Sequence, residues 1–405
     1  MQNKVLLILF ITLLLDMIGA GMVIPIIPVI FTDPTSKEFI LHGYSQASQF
    51  LIAGVVTALF GLMQFIAAPL LGELSDYYGR KKLLLLGIGT LAISQAFFGF
   101  GIMVQSLTII FISRLIAGLA AANFSIAQAM IADITSPQDR AKNFGLIGAA
   151  FGIGFIIGPL AGGWISHWTE NAAAPFMVAG LLGILNFLFC MLLLPETRKN
   201  VEKTSHNFHP LKGIHNLLAA YEDKKTLPIY LASFLYMSGF TFLMTFSSIF
   251  QVTQLHFTEG DVGTYFAAIG VLTAITQLVI LPILVKKYHE RAILRISMLS
   301  VGTAVALYPF MGTVALVYLI LPFIAIPQGL TMANMTALIS KNVDPNKQGA
   351  ALGINGSLIA LAGGIIPLTA GGGAALLGIK APFIAGGLLI FAAWSALFLR
   401  RNPHA

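Results

Sequence analysis

Charge is scarce in this chain. Asp, Glu, Lys and Arg make up 10% of its 405 residues, where a soluble domain carries roughly 25%. Cysteine is scarcer still: Cys190 stands alone, so no disulfide framework can hold the fold. Long polar stretches are also few, because 57% of the residues are hydrophobic and the mean hydropathy is +0.87. These shortages exclude an ordinary cytosolic enzyme and a disordered chain. A hydrocarbon core about 30 Å thick needs roughly 20 apolar residues per helix, so a chain of this length holds about twelve crossings. The sequence is that of a polytopic helical membrane protein.

Catalytic and nucleotide motifs are missing too. The chain has no Gly-x-x-x-x-Gly-Lys-Ser/Thr loop for phosphates, no His-Glu-x-x-His and no Gly-x-Ser-x-Gly. It is not read as an enzyme or an ATP-driven pump. His206, His209 and His215 cluster in the central loop, but without cysteine or ligand spacing they read as a solvated loop. No metal or cofactor is expected.

Apolar runs fall near 4–31, 47–71, 83–104, 106–134, 143–168, 174–194, 227–255, 259–285, 292–310, 313–340, 348–373 and 378–400. The first is too long for a signal h-region of about 7–15 residues and contains Asp16, so it reads as a retained span. Twenty of the 23 Lys and Arg lie at the termini or in the even-numbered loops; Lys37 and Lys380 lie opposite, and Arg114 lies within a span. This bias puts both termini in the cytoplasm of a multi-pass cell-membrane protein, a bacterial inner membrane being the expected one. It also explains the net charge of +7 without any nucleic acid.

A shift of 208 residues lays Ser136–Arg140 over Asp344–Gln348. It also pairs Gly145 with Gly353, Gly148 with Gly356, Pro159 with Pro367 and Gly163 with Gly371. The offset spans six helices, so the two halves share orientation. The expected fold is all-α: twelve transmembrane helices in two six-helix bundles, related by a pseudo-two-fold axis along the membrane normal. The expected divisions are a bundle over 1–194, a cytoplasmic linker over 195–226 and a bundle over 227–405. In the linker Leu211, Ile214, Leu218 and Tyr221 share a helical face, predicting a short amphipathic helix on the membrane surface.

Charges inside spans carry the functional signal, each costing roughly 2.5–3.5 kcal/mol on the insertion scale. Asp16 lies about 18 Å along the first helix, near the midplane, and Arg114 lies about two turns into the fourth. They are candidates for proton coupling, or for a neutralised pair that holds helices together. Asp133 and Arg295 sit near cytoplasmic ends. The second half has no deep charge, and its candidate substrate-binding residues are Tyr236, Phe240, Gln328 and Asn334, with Asn123 from the first half.

Several stretches resemble the major facilitator superfamily, and its twelve-helix drug:H+ antiporters, tetracycline/H+ antiporters included. Gly72-Glu73-Leu74-Ser75-Asp76-Tyr77-Tyr78-Gly79-Arg80-Lys81-Lys82 resembles the superfamily's signature loop. Gly154-Phe155-Ile156-Ile157-Gly158-Pro159-Leu160-Ala161-Gly162-Gly163 resembles the antiporter motif of the fifth helix. Arg114 followed by Gly118, and Asp16-x-x-Gly19-x-Gly21-x-x-x-Pro25-x-x-Pro28, are similar to the exporters' fourth and first helices. The resemblance departs at Leu91-Ala92-Ile93-Ser94-Gln95, where tetracycline exporters carry a further carboxylate. It implies a proton-coupled exporter of small organic, drug-like or amphipathic compounds working by alternating access. Proton-coupled import of a nutrient, metabolite or siderophore is the alternative, and a membrane scaffold without transport a further one. It also implies a cytoplasmic latch of Gly72, Asp76, Gly79, Arg80 and Asp133, with Asp76 facing the helix end near Gln348. Gly154, Gly158, Pro159, Gly162 and Gly163 are expected to pack helices and not to bind ligands. The expected partners are a small-molecule substrate, protons and the lipid bilayer, and the expected state is a monomer.

Overall fold

In the computed structural model, residues 2–135, 140–198, 212–223, 226–343 and 348–399 are described. Along the chain run α1 (Gln2–Gly21), α2 (Ile26–Thr32), α3 (Gln46–Tyr78), α4 (Arg80–Met103), α5 (Leu107–Ala120) and α6 (Asn123–Ile134). They are followed by α7 (Arg140–Thr169), α8 (Ala174–Leu193), α9 (Lys212–Glu222), α10 (Leu227–Leu255) and α11 (Glu259–Ile275). The remainder are α12 (Leu281–Leu284), α13 (Glu290–Leu307), α14 (Val314–Lys341), α15 (Gln348–Leu377) and α16 (Ala381–Phe398). A π-turn, Thr276–Ile280, joins α11 to α12 just before Pro282, and no strand occurs among the described residues. Twelve stretches are long and apolar enough to cross a membrane. The chain is an all-α, multi-pass membrane protein.

Three spans that read as continuous in the sequence are interrupted. The first breaks at 22–25, where Ile24 and Ile26 close turns onto Gly21 and Val23, and Pro25 precedes the short α2. The fourth breaks at Ala121 and Ala122, leaving Asn123 as the first residue of α6. Gln64 of α3 donates to the freed carbonyl of Ala121 at 3.4 Å, the compensation an interrupted membrane helix requires. The eighth contains the π-turn. The second span, in contrast, continues past residue 71 to Tyr78, about two further turns.

The chain divides into two compact units. One comprises Met1–His42, Leu62–Lys212 and Phe257–Ala267; the other comprises Gly43–Gly61, Gly213–His256 and Ala268–Ala405. The first part of α3 therefore belongs with the second unit, and the start of α11 with the first. Each unit contains one close contact that displays the 208-residue repeat. In the first, a Cβ on Gly263 would stand 2.5 Å from the carbonyl oxygen of Pro159, beside Gly163. In the second, a Cβ on Gly54 would overlap the carbonyl of Pro367 and lie 3.1 Å from Gly371. The shift carries 159 and 163 to 367 and 371, and 54 to 262, one residue short of Gly263, so the two contacts are closely similar crossings of backbone on backbone.

In the central segment α9 is a short helix whose Ile214, Leu218 and Tyr221 are exposed. Asn216 donates to Ser357 of α15 at 2.9 Å. Leu211, His206 and His209 lie outside the described residues. At the opposite end of the first unit Lys37 pairs with Glu170 at 2.7 Å, both side chains three-quarters exposed. Their hydrogen bond holds the Lys37 ammonium above its usual range and the Glu170 carboxyl below its own. The pair therefore contributes at neutral pH and fades as pH falls through the lowered Glu170 value or rises past the raised Lys37 value. Because solvent screens it, Glu170→Gln should change the unfolding temperature little, as exposed pairs generally do. A thermal melt across pH checks this.

Candidate functional site

Asp16 lies in the penultimate turn of α1, buried within the first unit. Two asparagines supply its donors: Asn123 Nδ2 reaches Oδ2 at 2.7 Å, and Asn186 Nδ2 reaches Oδ1 at 3.4 Å. Asn186 of α8 also donates to the Thr12 carbonyl at 3.3 Å. Below it Cys190 Sγ lies 2.9 Å from Thr12 Oγ1. The two breaks flank this carboxylate, since α1 ends five residues on and α6 begins with Asn123. Half-helix ends around a polar group at mid-membrane are a recurring way to build an ion site.

Arg114 of α5 is equally buried but is held apart from Asp16. Its Nη2 donates to Gln95 Oε1 at 3.4 Å, and Gln95 Nε2 donates to the Gly19 carbonyl at 3.2 Å. The guanidinium carbon stands 4.1 Å above the ring of Phe98, and that ring stacks on Phe176 at 4.3 Å. A cation over a desolvated aromatic face is stabilised by the ring quadrupole. The neutralised pair weighed for Asp16 and Arg114 is absent among the described residues. The reason is local: α4 takes the cation with Gln95 and Phe98, while α6 and α8 take the anion with amides. Gln95 lies in the stretch where the resemblance called for a carboxylate, and it links Arg114 to α1 without charge. Asn123, a substrate candidate from the sequence, donates to Asp16.

The glycines of α7 determine how closely the site is enclosed. A Cβ on Gly158 would stand 2.7 Å from the Ile18 carbonyl and 2.9 Å from Gly21 Cα. One on Gly162 would stand 2.5 Å from the Met22 carbonyl, and one on Gly154 would overlap Met17. The stripe presses α7 onto the stretch of α1 that runs from Asp16 to the break.

Near the expected latch, Arg80 uses all three guanidinium nitrogens. Nη2 lies 2.5 Å from Asp76, Nε 3.2 Å from Asp133, and Nη1 donates to Ser75 at 2.8 Å. Ser75 in turn donates to the Gly72 carbonyl at 2.6 Å. The segment after α8 adds partners absent from the sequence reading. Arg198 Nη1 lies 2.5 Å from Asp76 and Thr197 donates to Asp133 at 3.2 Å. Glu196 accepts the backbone N–H groups of Arg80 and Lys81, both at 3.1 Å, capping α4 with a carboxylate where the helix dipole favours one. Gly79 has φ +99°, and a Cβ there would lie 2.7 Å from Glu196 Oε2; conformation and space both require glycine. Residues 196–198, assigned to the linker, are thus part of the first unit's network around Arg80. Their signal in the sequence was an acid and a base, Glu196 and Arg198, directly after an apolar span.

In the second unit the Tyr236 hydroxyl of α10 donates to Gln328 Oε1 of α14. One turn along, Thr331 binds Ser297 of α13 and the Pro327 carbonyl, both at 2.8 Å. Phe240 lies one turn beyond Tyr236, also buried. Asn334 turns back to its own helix, donating to the Leu330 carbonyl at 2.7 Å. Tyr236 and Gln328 are therefore brought together, whereas Asn334 is used within α14.

A family model described as Major Facilitator Superfamily matches residues 9–367. The tetracycline resistance protein, class C, of Escherichia coli is 30% identical over 377 residues, covering 89% of this chain and 86% of its own length. Multidrug resistance protein 1 of Bacillus subtilis (strain 168) is 28% identical over 406 residues, covering 98% and 97%. Among solved structures, that of the human organic anion transporter MFSD10 (TETRAN) matches with a TM-score of 0.72 at 24% identity, covering 98% of this chain and 99% of that one.

Proposed function

The chain belongs to the Major Facilitator Superfamily, a family of transporters and not of enzymes, and from that premise we propose that it exports small drug-like or amphipathic compounds in exchange for protons. The observation that carries the reading is Asp16, a carboxyl group buried in the penultimate turn of α1 and hydrogen-bonded by two neutral amides. A buried carboxylate without a cationic partner is a group that gains and loses a proton as its surroundings change. The curated relatives support export, since their names are those of tetracycline, multidrug and quinolone resistance proteins.

On this reading the bundles of 1–194 and 227–405 alternate access to the two faces of a bacterial inner membrane, acting as a monomer with both termini cytoplasmic. Asp16 holds the proton and Arg114 sets the field beside it. Tyr236, Gln328 and Phe240 offer a neutral, aromatic surface to substrate, while the Arg80 network tunes the balance between states. Exchange of one proton supplies about 2.3 kcal/mol per 100 mV and about 1.4 kcal/mol per pH unit, enough for a gradient of several hundred-fold. Vesicles acidified inside should accumulate a panel dye or antibiotic if the protein is an exchanger. Accumulation only with acid outside would make it an importer, and accumulation in neither would remove transport.

Orientation has its own test. With Cys190 replaced, a cysteine at Lys37 should react with an impermeant thiol reagent added outside cells, and one at Lys286 should not. The reverse pattern would overturn the topology.

A further inference from the structure

Two buried polar atoms at the site lack a hydrogen-bond partner, Arg114 Nε and Asn123 Oδ1, and the second is an acceptor that accepts nothing. Yet the nitrogen of the same amide makes the shortest hydrogen bond to Asp16. Oδ1 occupies a notch that Gly87 of α4 leaves open, where any Cβ would overlap it. The notch also holds the carbonyl oxygen of Ala120, 3.1 Å from that Cβ position. This carbonyl ends α5 and already receives the N–H of Ala122 at 2.9 Å, which leaves one lone pair unused. Two acceptors thus share a notch into which Asn123 directs no donor.

An ionised carboxylate only accepts, whereas a protonated one also donates; an amide presents a donor and an acceptor of nearly equal shape. We propose that Asn123 is a proton-responsive amide, donating through Nδ2 to ionised Asp16 and turning over when Oδ2 takes a proton. After the turn Oδ1 accepts from the new O–H, and Nδ2 enters the Gly87 notch beside the free lone pair of Ala120. The only covalent change is the O–H bond formed on Asp16. Both polar atoms of the amide are then satisfied, and the proton's presence is registered at the break between α5 and α6. Asn123 acts here as a positioning residue, and the inference rests on Asp16 being the proton site.

The surroundings leave few competing titrations. Helix α1 contributes Asp16, α8 contributes Asn186 and Cys190, and α5 contributes Arg114, which is held by Gln95 and Phe98. Helix α4 brings Gly87 and Gln95, α3 brings Gln64 to the Ala121 carbonyl, and α7 meets α1 through glycines.

Infrared difference spectra of the purified full-length protein, carrying isotope-labelled asparagine and titrated with acid in the absence of substrate, test the inference. In wild type the labelled amide band should shift with the same midpoint as the Asp16 carboxyl band. The shift should vanish in Asp16→Asn, and also in Gly87→Ala, whose methyl takes the space that Oδ1 holds and the turned Nδ2 would need. A wild-type amide band that stays still while the Asp16 carboxyl titrates would overturn the inference and leave Asp16 as the proton site. A band that shifts equally in Asp16→Asn would also overturn it. If the Asp16 carboxyl itself never titrates, the proton-site reading fails and takes the inference with it.

Discussion

Asp16→Asn is expected to abolish accumulation against a gradient. With one pH unit and 100 mV imposed, the wild-type ratio of several hundred-fold should collapse to about one, because no proton is coupled and about 3.7 kcal/mol of drive is lost. Downhill movement of the same compound should fall much less. The substitution keeps the shape of the side chain, and the new amide meets Asn123 Nδ2 with a donor of its own. If Asn123 turns over, its oxygen accepts from that donor, so the variant resembles the protonated site. Counterflow and pH-driven accumulation, measured in the same vesicles, separate the two properties. If Asp16→Asn still concentrates substrate to the wild-type level, the coupling group lies elsewhere and Asp16 is structural.

Much of the architecture was legible because the membrane imposes simple rules. Twelve apolar runs gave the spans, and the ends of most differ from the helices by a few residues, as for Ala174–Leu193 and Leu227–Leu255. The breaks were less legible for a physical reason. The gap in the first span has a proline, Pro25, but the gap in the fourth falls in Ala120-Ala121-Ala122, residues that favour helix. What interrupts it is tertiary: Gln64 takes the Ala121 carbonyl, and Asn123 turns its amide to Asp16. Periodicity in one segment carries no trace of those partners.

The site shows the same division. Charge at depth singled out Asp16 and Arg114, because a charge in hydrocarbon is costly enough to need a reason. It did not single out Asn186 or Gln95, which are neutral and cheap to bury when hydrogen-bonded. It left a direct pair open as an alternative, where the two charges have separate partners. The family resemblance groups Asp76, Arg80 and Asp133, yet Glu196 and Arg198 come from more than a hundred residues away and read as linker. Contacts that depend on chain return are the ones a single sequence hides.

That return carries the second large prediction. Arg80 is buried and engages Asp76, Asp133 and Ser75 through three different nitrogens. Removing one member of a buried charged network typically costs about 3–5 kcal/mol, because partners are left desolvated and unpaired. The Asp76 side chain is 40% exposed, and water there discounts that arm, so Arg80→Ala should lose about 2–3 kcal/mol. The informative variant is Arg80→Lys. It keeps the positive charge, and hence the topology signal, but an ammonium on a flexible stem cannot present three donors in a planar fork. Arg80→Lys should therefore insert normally, yet resemble Arg80→Ala in thermal stability and in turnover. Turnover should fall by about tenfold or more in both, while substrate affinity moves much less, since the network shares no partner with Asp16 and acts on the balance of states. Glu196→Gln should fall between, since an amide oxygen can still cap the α4 N–H groups but loses the charge that the helix dipole favours. Initial transport rates, binding isotherms and melts on the purified variants decide the matter. A fully active Arg80→Lys would reduce Arg80 to a topological cation and leave the geometry around Glu196 without a role in transport.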